Sequence, residues 1–142
     1  MTLQSAIEAE LPFLRAEAEA RMKACSRATV KRQNGTTTDA DGYEVPAWEV
    51  VYTDIPCRIS AGSTSDGGSR GVSIGGVTFE DATGVGHFPH PSPLFRDGDI
   101  FELTAGDWVG DFFMVVAAIR YDQQTARRLP IKEAAEPDGW SA

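Results

Sequence analysis

Four side chains between residues 87 and 99 belong to the types that carry out acid–base chemistry. His87 and His90 are the only histidines in the chain, and Asp97 and Asp99 stand on either side of a glycine. A carboxylate pair near an imidazole can act as general acid and general base. Aspartates beside a glycine are also typical of solvated turns. The glycine-containing setting of Asp97 and Asp99 favours the second interpretation.

Three other patterns resemble binding motifs, and each departs from its motif at a required position. Asp39 and Asp41 are spaced as in a calcium loop, but Thr37 and Trp48 stand where that loop needs carboxylates. The prolines around the two histidines prevent the helical pairing of a zinc protease. The glycine-rich run lacks the Gly-Lys-Ser or Gly-Lys-Thr ending of a phosphate-binding loop. We therefore expect no catalytic residue, no metal and no cofactor, and predict a protein that is not an enzyme.

The charge balance is acidic. The 142 residues include 13 Lys and Arg against 21 Asp and Glu, a formal net charge of -8. This sign is opposite to the one that neutralises DNA phosphates, so a sequence-reading DNA-binding role is disfavoured. Two interpretations of the surplus remain: it keeps the protein soluble, or it forms a surface past which a polyanion moves without binding.

The cysteines and the N-terminal segment predict a reducing, membrane-free location. Cys25 and Cys57 lack a Cys-x-x-Cys partner and are interpreted as reduced thiols. We expect neither a secretory signal nor a membrane span of about 20 apolar residues. The sequence thus predicts a protein of the cytoplasm, or of something assembled there.

An N-terminal amphipathic helix is predicted by apolar residues that recur every three or four positions from Leu3 to Met22. Pro12 predicts a kink, or a break into two helices, because it removes a backbone donor and clashes with the preceding turn. The apolar stripe can pack on the chain's own core or on a neighbouring subunit, and the pattern leaves both open.

After Cys25 the pattern changes to short alternating runs between turn residues, which predicts an antiparallel β domain. Asn34-Gly35 and Asp41-Gly42 are turn signals. Segment 86–95, with prolines at alternate positions, favours extended backbone outside a ladder. The most apolar run, at residues 111–119, favours a buried central strand.

Residues 60–76 form the segment least able to build a core, with six glycines and five serines. Such a segment buries too little apolar surface to offset its backbone entropy and predicts a mobile loop. It is either an expendable surface loop or a functional one, since loops of this length are uncommon otherwise.

The predicted fold is α+β and mostly β: a small antiparallel β-barrel or sandwich with a kinked N-terminal helix and a long Gly/Ser loop. Residues 1–25 are assigned to a helical arm and residues 26–133 to the barrel. Residues 134–142 are assigned to a loose C-terminal tail.

The order of these features resembles the head-to-tail stopper, or head-closure, proteins found in the necks of actinobacterial tailed phages with long non-contractile tails. The resemblance is carried by the kinked helix, the Thr-Asp-x-Asp-Gly turn, Ile55-Pro-Cys-Arg-Ile59, the Gly/Ser loop and Arg96-Asp-Gly-Asp-Ile100. It covers most of the chain and rests on layout rather than on a catalytic signature.

The resemblance implies a minor virion protein that is assembled in the host cytoplasm. It implies a homo-oligomeric ring, expected to be hexameric, between the portal and adaptor proteins and the tail tube or tail terminator. A loop would project into the channel, near packaged DNA, to retain it. Under this hypothesis the channel-loop residues are Ser63, Ser65, Asp66 and Arg70. The residues that contact a neighbouring subunit or the adaptor are Leu3, Ile7, Leu11, Leu14, Phe88, Pro89 and Pro91.

Two alternatives remain. A head-to-tail adaptor or a tail-terminator protein would share ring assembly without closing a channel. A small cytoplasmic ligand-binding or hydrolytic β-barrel would use Asp97, Asp99 and His87, and this alternative requires the three side chains to converge in one pocket.

Overall fold

The computed structural model describes residues 3–23, 25–61, 71–74, 76–119 and 126–141, with one helix followed by strands. The helix is α1 (Leu3–Lys23), and the strands are β1 (Ser26–Thr38), β2 (Glu44–Ala61), β3 (Val72–Ile74), β4 (Val77–Phe79), β5 (Gly84–Pro89), β6 (Ile100–Ala105), β7 (Phe112–Val115) and β8 (Ala126–Ala134).

Six strands form a closed antiparallel barrel in the order β1-β2-β5-β8-β7-β6. β3 and β4 pair separately as a two-stranded sheet. The prediction of a small, mostly β, α+β fold is confirmed, and of the two architectures left open the barrel is the one observed. Closure matters physically because it leaves the body of the sheet without an unpaired edge.

The barrel encloses the main apolar core, in which aromatic rings from neighbouring strands meet. The ring centroids of Phe88 and Phe101 lie 5.3 Å apart at 90°, and Phe95 lies 4.5 Å from Phe88. Edge-to-face and tilted pairs at these distances are favourable. The fully buried aliphatic members of the core are Ala28, Val30, Leu103, Val115, Leu129 and Ile131.

Helix α1 runs through Pro12 as one element, so the alternative of two helices is wrong. It packs on β1, β2, β5 and β8, with Leu11 at 7% and Met22 at 3% exposure. Those two side chains therefore stabilise the chain's own barrel, which answers the open question for this part of the stripe.

Two turn predictions had different outcomes. Asp41-Gly42 does turn the chain between β1 and β2, where the Asp39 carboxylate accepts bonds from the backbone N–H groups of Asp41 and Tyr43 at 3.0 and 2.8 Å. Asn34-Gly35 does not turn the chain. Gly35 has φ of 73° and lies inside β1, at a register shift between Gln33 and Thr36, so its positive φ serves a β-bulge.

Three segment boundaries also need correction. The proline-rich segment 86–95 was predicted to lie outside the ladder, but β5 pairs with β2 as far as His87 and with β8 as far as Pro89. Within the predicted strand 111–119, only Phe112–Val115 is a strand. The Gly/Ser loop was predicted to extend to residue 76, but β3 begins at Val72, because Val72 and Ile74 are buried in a second apolar cluster.

Candidate functional site

The most prominent surface feature is a two-stranded extension of the barrel, which we call the hairpin arm and define as residues 32–53. β1 pairs with β6 only over residues 27–31, and β2 pairs with β5 only over residues 58–61. Beyond these positions β1 and β2 pair only with each other. Residues 33–44 of the arm are exposed throughout.

The C-terminal segment 137–141, which we call the C-terminal brace, holds the base of the hairpin arm. Trp140 is 3% exposed and its ring meets that of Trp48 with centroids 5.3 Å apart. The Trp48 indole N–H donates to the Asp138 carbonyl at 2.9 Å, and the Lys31 ammonium donates to the Trp140 carbonyl at 2.6 Å. The prediction of a loose tail is therefore wrong for these residues.

The exposed aromatic side chains of the described residues lie on three different elements. Phe13 on α1 is 72% exposed, Tyr43 at the tip of the hairpin arm 71%, and Trp108 and Val109 in the β6–β7 turn 61% and 60%. Single exposed apolar residues are ordinary. Aromatic rings at the tips of projecting elements are the side chains that protein interfaces most often bury.

The predicted contact residues on α1 divide into buried, partly exposed and undescribed side chains. Leu11 is buried on the barrel, which contradicts its assignment to a partner contact, whereas Leu14 is 38% exposed. Leu3 and Ile7 lie in the helix, and their side chains are outside the described residues. Phe13 was missed because it does not lie on the apolar stripe.

The contact predictions at Phe88 and Pro89 are wrong. Phe88 has no exposed surface and packs between Phe95 and Phe101 inside the barrel. Pro89 is buried at the end of β5. The ladder that this segment joins turns the Phe88 side chain into the barrel. Pro91 is exposed, and its predicted role stays a prediction.

The predicted channel-loop residues Ser63, Ser65, Asp66 and Arg70 lie outside the described residues. The described chain fixes where that loop is anchored: β2 ends at Ala61, and the chain re-enters the structure at Gly71. Gly71 has φ of 124°, and a Cβ there would lie 2.7 Å from the Phe79 carbonyl oxygen. Only glycine fits at that anchor.

The three residues of the hydrolytic alternative have separate environments. Asp99 is 1% exposed; Arg32 donates to both of its carboxylate oxygens, at 2.7 and 2.8 Å. The Asp97 carboxylate accepts from the Ala118 backbone N–H at 2.7 Å. His87 lies on β5 beside Ser60, 2.9 Å away. The structure thus does not bring the three together.

Asp99 was interpreted as a solvated turn residue, and its burial corrects that interpretation. Besides Arg32, it accepts from the Arg96 backbone N–H at 2.8 Å. Arg32 also donates to the Leu94 carbonyl. The ion pair therefore fixes the chain from Leu94 to Asp99 against β1, and the pKa of Arg32 is raised, first of all by its hydrogen bond to Asp99.

Two titratable groups, the half-buried His87 and the buried Cys57, are held in their neutral forms. Burial, with smaller contributions from Arg58 and Arg128, lowers the pKa of His87 to about 4. Burial raises the pKa of the Cys57 thiol to about 12. At neutral pH both groups are uncharged, and a Cys57 thiol in this state is a poor nucleophile.

A cavity of about 240 Å³ is bordered by Trp108, Asp111, Phe113, Ile131 and Glu133, together with parts of β2 and β5. None of Asp97, Asp99 and His87 lines it. In the described part of the chain, no three His, Cys, Asp or Glu side chains are grouped as metal ligands would be. The described helix is not long and apolar enough to cross a membrane.

Residues 14–132 match the family described as "Family of unknown function (DUF6093)". The match covers most of the chain, so the chain belongs to this family. Neither a curated protein nor a solved structure was found to match it.

Proposed function

We propose that this member of the DUF6093 family is a structural component of a tailed-phage neck. In this proposal it forms a head-to-tail stopper ring that joins the portal and adaptor to the tail tube, and residues 62–70 retain packaged DNA. The resemblance of the sequence to stopper proteins is the reason for proposing the neck as the location. The surfaces described above supply the physical support for assembly.

The observation that carries the proposal is the exposure of Phe13, Tyr43 and Trp108 on three different elements. Burying an aromatic side chain contributes roughly 1.5–3 kcal/mol, and an element that projects from a barrel can reach a neighbour. A ring needs two different surfaces on each subunit, because its contacts are head-to-tail. Helix α1, the tip of the hairpin arm and the β6–β7 turn offer more than one such surface.

The loop contributes the second part of the proposed role. Residues 62–70 connect Ala61 at the end of β2 to Gly71, and none of the core side chains named above belongs to them. Their glycine and serine content permits many backbone conformations. Repeated around a ring, such loops can narrow a channel and then move aside.

The adaptor and tail-terminator alternatives differ from the stopper in the role of this loop. All three would be found in the neck. Only the stopper needs the loop to hold DNA, so the loop is the part of the chain on which the experiment should act.

The test combines imaging of the neck in assembled particles with a variant lacking residues 62–70. We expect ring density for this barrel below the portal, and particles of the deletion variant that lose packaged DNA. A matched control keeps the loop length but carries D66S and R70S, and it should retain DNA because obstruction depends on the length of the loop.

The outcomes separate the candidates. Neck density together with DNA retention by the deletion variant would replace the stopper with an adaptor or tail terminator. Absence of the chain from the neck would contradict the whole proposal.

A further inference from the structure

Three nitrogen-bearing side chains stand side by side on the outside of the barrel. Arg58 on β2 pairs with His87 on β5, and His87 pairs with Arg128 on β8. Neighbouring strands lie about 4.8 Å apart, and paired residues place their side chains on the same face. Their neighbours Cys57, Phe88 and Leu129 are fully buried, which places the row on the outer face.

Helix α1 turns this row into a cleft by adding a third guanidinium. A cavity of about 130 Å³ lies between the helix and the row. We call it the basic cleft; it is lined by Ala18, Arg21, Met22, Arg58, His87, Ala126 and Arg128.

The charges of the basic cleft are poorly compensated. Arg21 is 3.4 Å from Glu17 in an exposed ion pair. Within the described ranges, no carboxylate lies at salt-bridge distance from Arg58 or Arg128; Asp107 lines a neighbouring cavity with Arg58 without reaching it. Like charges close together on a sheet are destabilising, and acids outnumber bases in this chain, 21 to 13.

His87 adds a neutral hydrogen-bonding group to the cleft. Its Nε2 lies 2.9 Å from the Ser60 hydroxyl and 3.5 Å from Nη2 of Arg58. A neutral imidazole has one N–H donor and one acceptor nitrogen. The imidazole therefore offers one N–H donor, and the positive charge of the cleft comes from its arginines.

We propose that the basic cleft binds a single phosphate group, either as inorganic phosphate or as one phosphodiester of a nucleic acid. Three guanidinium groups and an N–H donor suit an anion with several acceptor oxygens, whereas one arginine fork already satisfies a carboxylate. The cavity of about 130 Å³ has room for one such group. This inference goes beyond the proposed function, which assigns no anion site, and it does not depend on that function.

The experiment is calorimetric titration of the full chain with sodium phosphate at low ionic strength and neutral pH. Wild type is compared with R58Q, R128Q and the double variant. R96Q is the matched control, because Arg96 is exposed and lies outside the cleft. Thermal unfolding of each variant checks that it is folded.

The expected result is saturable phosphate binding that each cleft substitution weakens by about tenfold, as expected for the loss of one charge-assisted hydrogen bond, while R96Q leaves it unchanged. Phosphate should also raise the pKa of His87 measured by NMR in wild type and leave it unchanged in the double variant. A merely structural role of the arginines would not produce that shift.

A second arm titrates a short labelled DNA duplex. Duplex binding with the same sensitivity to R58Q and R128Q identifies the phosphodiester as the source, and phosphate binding alone identifies the free ion. The proposal is overturned if tens of millimolar phosphate does not bind, or if the folded double variant binds as tightly as wild type. Binding of an acidic peptide without any phosphate binding would overturn it as well, in favour of a protein carboxylate.

Discussion

At the scale of single residues, Asp99 shows how a long-range partner changes the meaning of a local pattern. Asp97-Gly98-Asp99 is a turn, as its composition predicts. Arg32 lies 67 positions away in the sequence, so no reading of neighbouring residues could have shown that Asp99 is buried in an ion pair. Asp97, two residues earlier, is exposed, in agreement with the interpretation as a turn residue.

We predict that D99N destabilises the protein by about 3 kcal/mol, because it removes the charge of a buried carboxylate that accepts three hydrogen bonds. K23Q is the control, since the exposed Lys23–Glu19 pair, 3.7 Å apart, should contribute less than about 0.5 kcal/mol. Chemical denaturation of both variants measures the difference. Equally small losses of stability in D99N and K23Q would show that the Asp99–Arg32 ion pair does not anchor the segment from Leu94 to Asp99.

His87 gives a pH dependence whose sign follows from its pKa of about 4 in the folded chain. The unfolded state takes up a proton near pH 6.5, whereas the folded state does so only near pH 4. The part of the folding stability that depends on His87 is therefore complete above about pH 6.5. It decreases as the pH drops toward 4, by about 3 kcal/mol at most.

We predict that H87Q removes this part of the pH dependence. The measurement is the free energy of unfolding of wild type and H87Q at several pH values between 4 and 7. Subtracting the two curves cancels the carboxylates common to both proteins. A difference that does not change with pH would contradict the assignment of a neutral, half-buried His87.

At the scale of elements, the hairpin arm depends on the C-terminal brace. An isolated two-stranded hairpin is marginally stable in water. The ring of Trp140 packs against Trp48 on the arm and against Phe112 on β7, with centroids 5.3 and 5.2 Å away. The brace thereby ties the arm to the barrel.

We predict that W140A destabilises the protein by about 3 kcal/mol, the low end for removing a buried aromatic ring. Hydrogen exchange should lose protection first at residues 44–50, where the brace meets the arm. W108A is the matched control: Trp108 is 61% exposed and its removal should cost less than about 0.5 kcal/mol. Unchanged protection of the arm in W140A would show that the brace does not hold it.

The elements that the sequence predicts well are those whose signals are local. The periodicity from Leu3 to Met22 predicts α1, and the short alternating runs between turn residues after Cys25 predict the β domain. The bulge at Gly35 and the docking of Trp140 depend on pairing across the barrel, which a local pattern does not contain. Residues 134–142 were assigned to a loose tail, because the partners of Trp140 lie far away in the sequence and a local pattern does not reveal them.

At the scale of the whole molecule, the fold class follows from the alternation of short strands and turns, and the structure confirms it. The candidate contact surfaces were predictable only in part. Leu14 and Pro91 are exposed, as contact residues must be, whereas Phe88 and Leu11 are buried. Apolar side chains occur both in the core and at contacts with partners. The residue type alone does not separate the two, and the position of the side chain in the folded barrel does.

We predict that F13D and W108D each reduce self-association by at least about tenfold, because each replaces an exposed aromatic ring with a charge. Stability of the monomer should change by less than about 0.5 kcal/mol, since both side chains are mostly exposed. K23Q, which alters charge on the same helix without removing an apolar side chain, controls for α1. Association is measured by sedimentation over a range of concentrations.

The mass of the purified chain in solution, alone and with portal complexes, decides whether the protein assembles as a ring. We expect a closed ring of identical subunits, either spontaneously or when a portal complex is present as a template. A chain that stays monomeric under both conditions, at concentrations far above those in an infected cell, would contradict it.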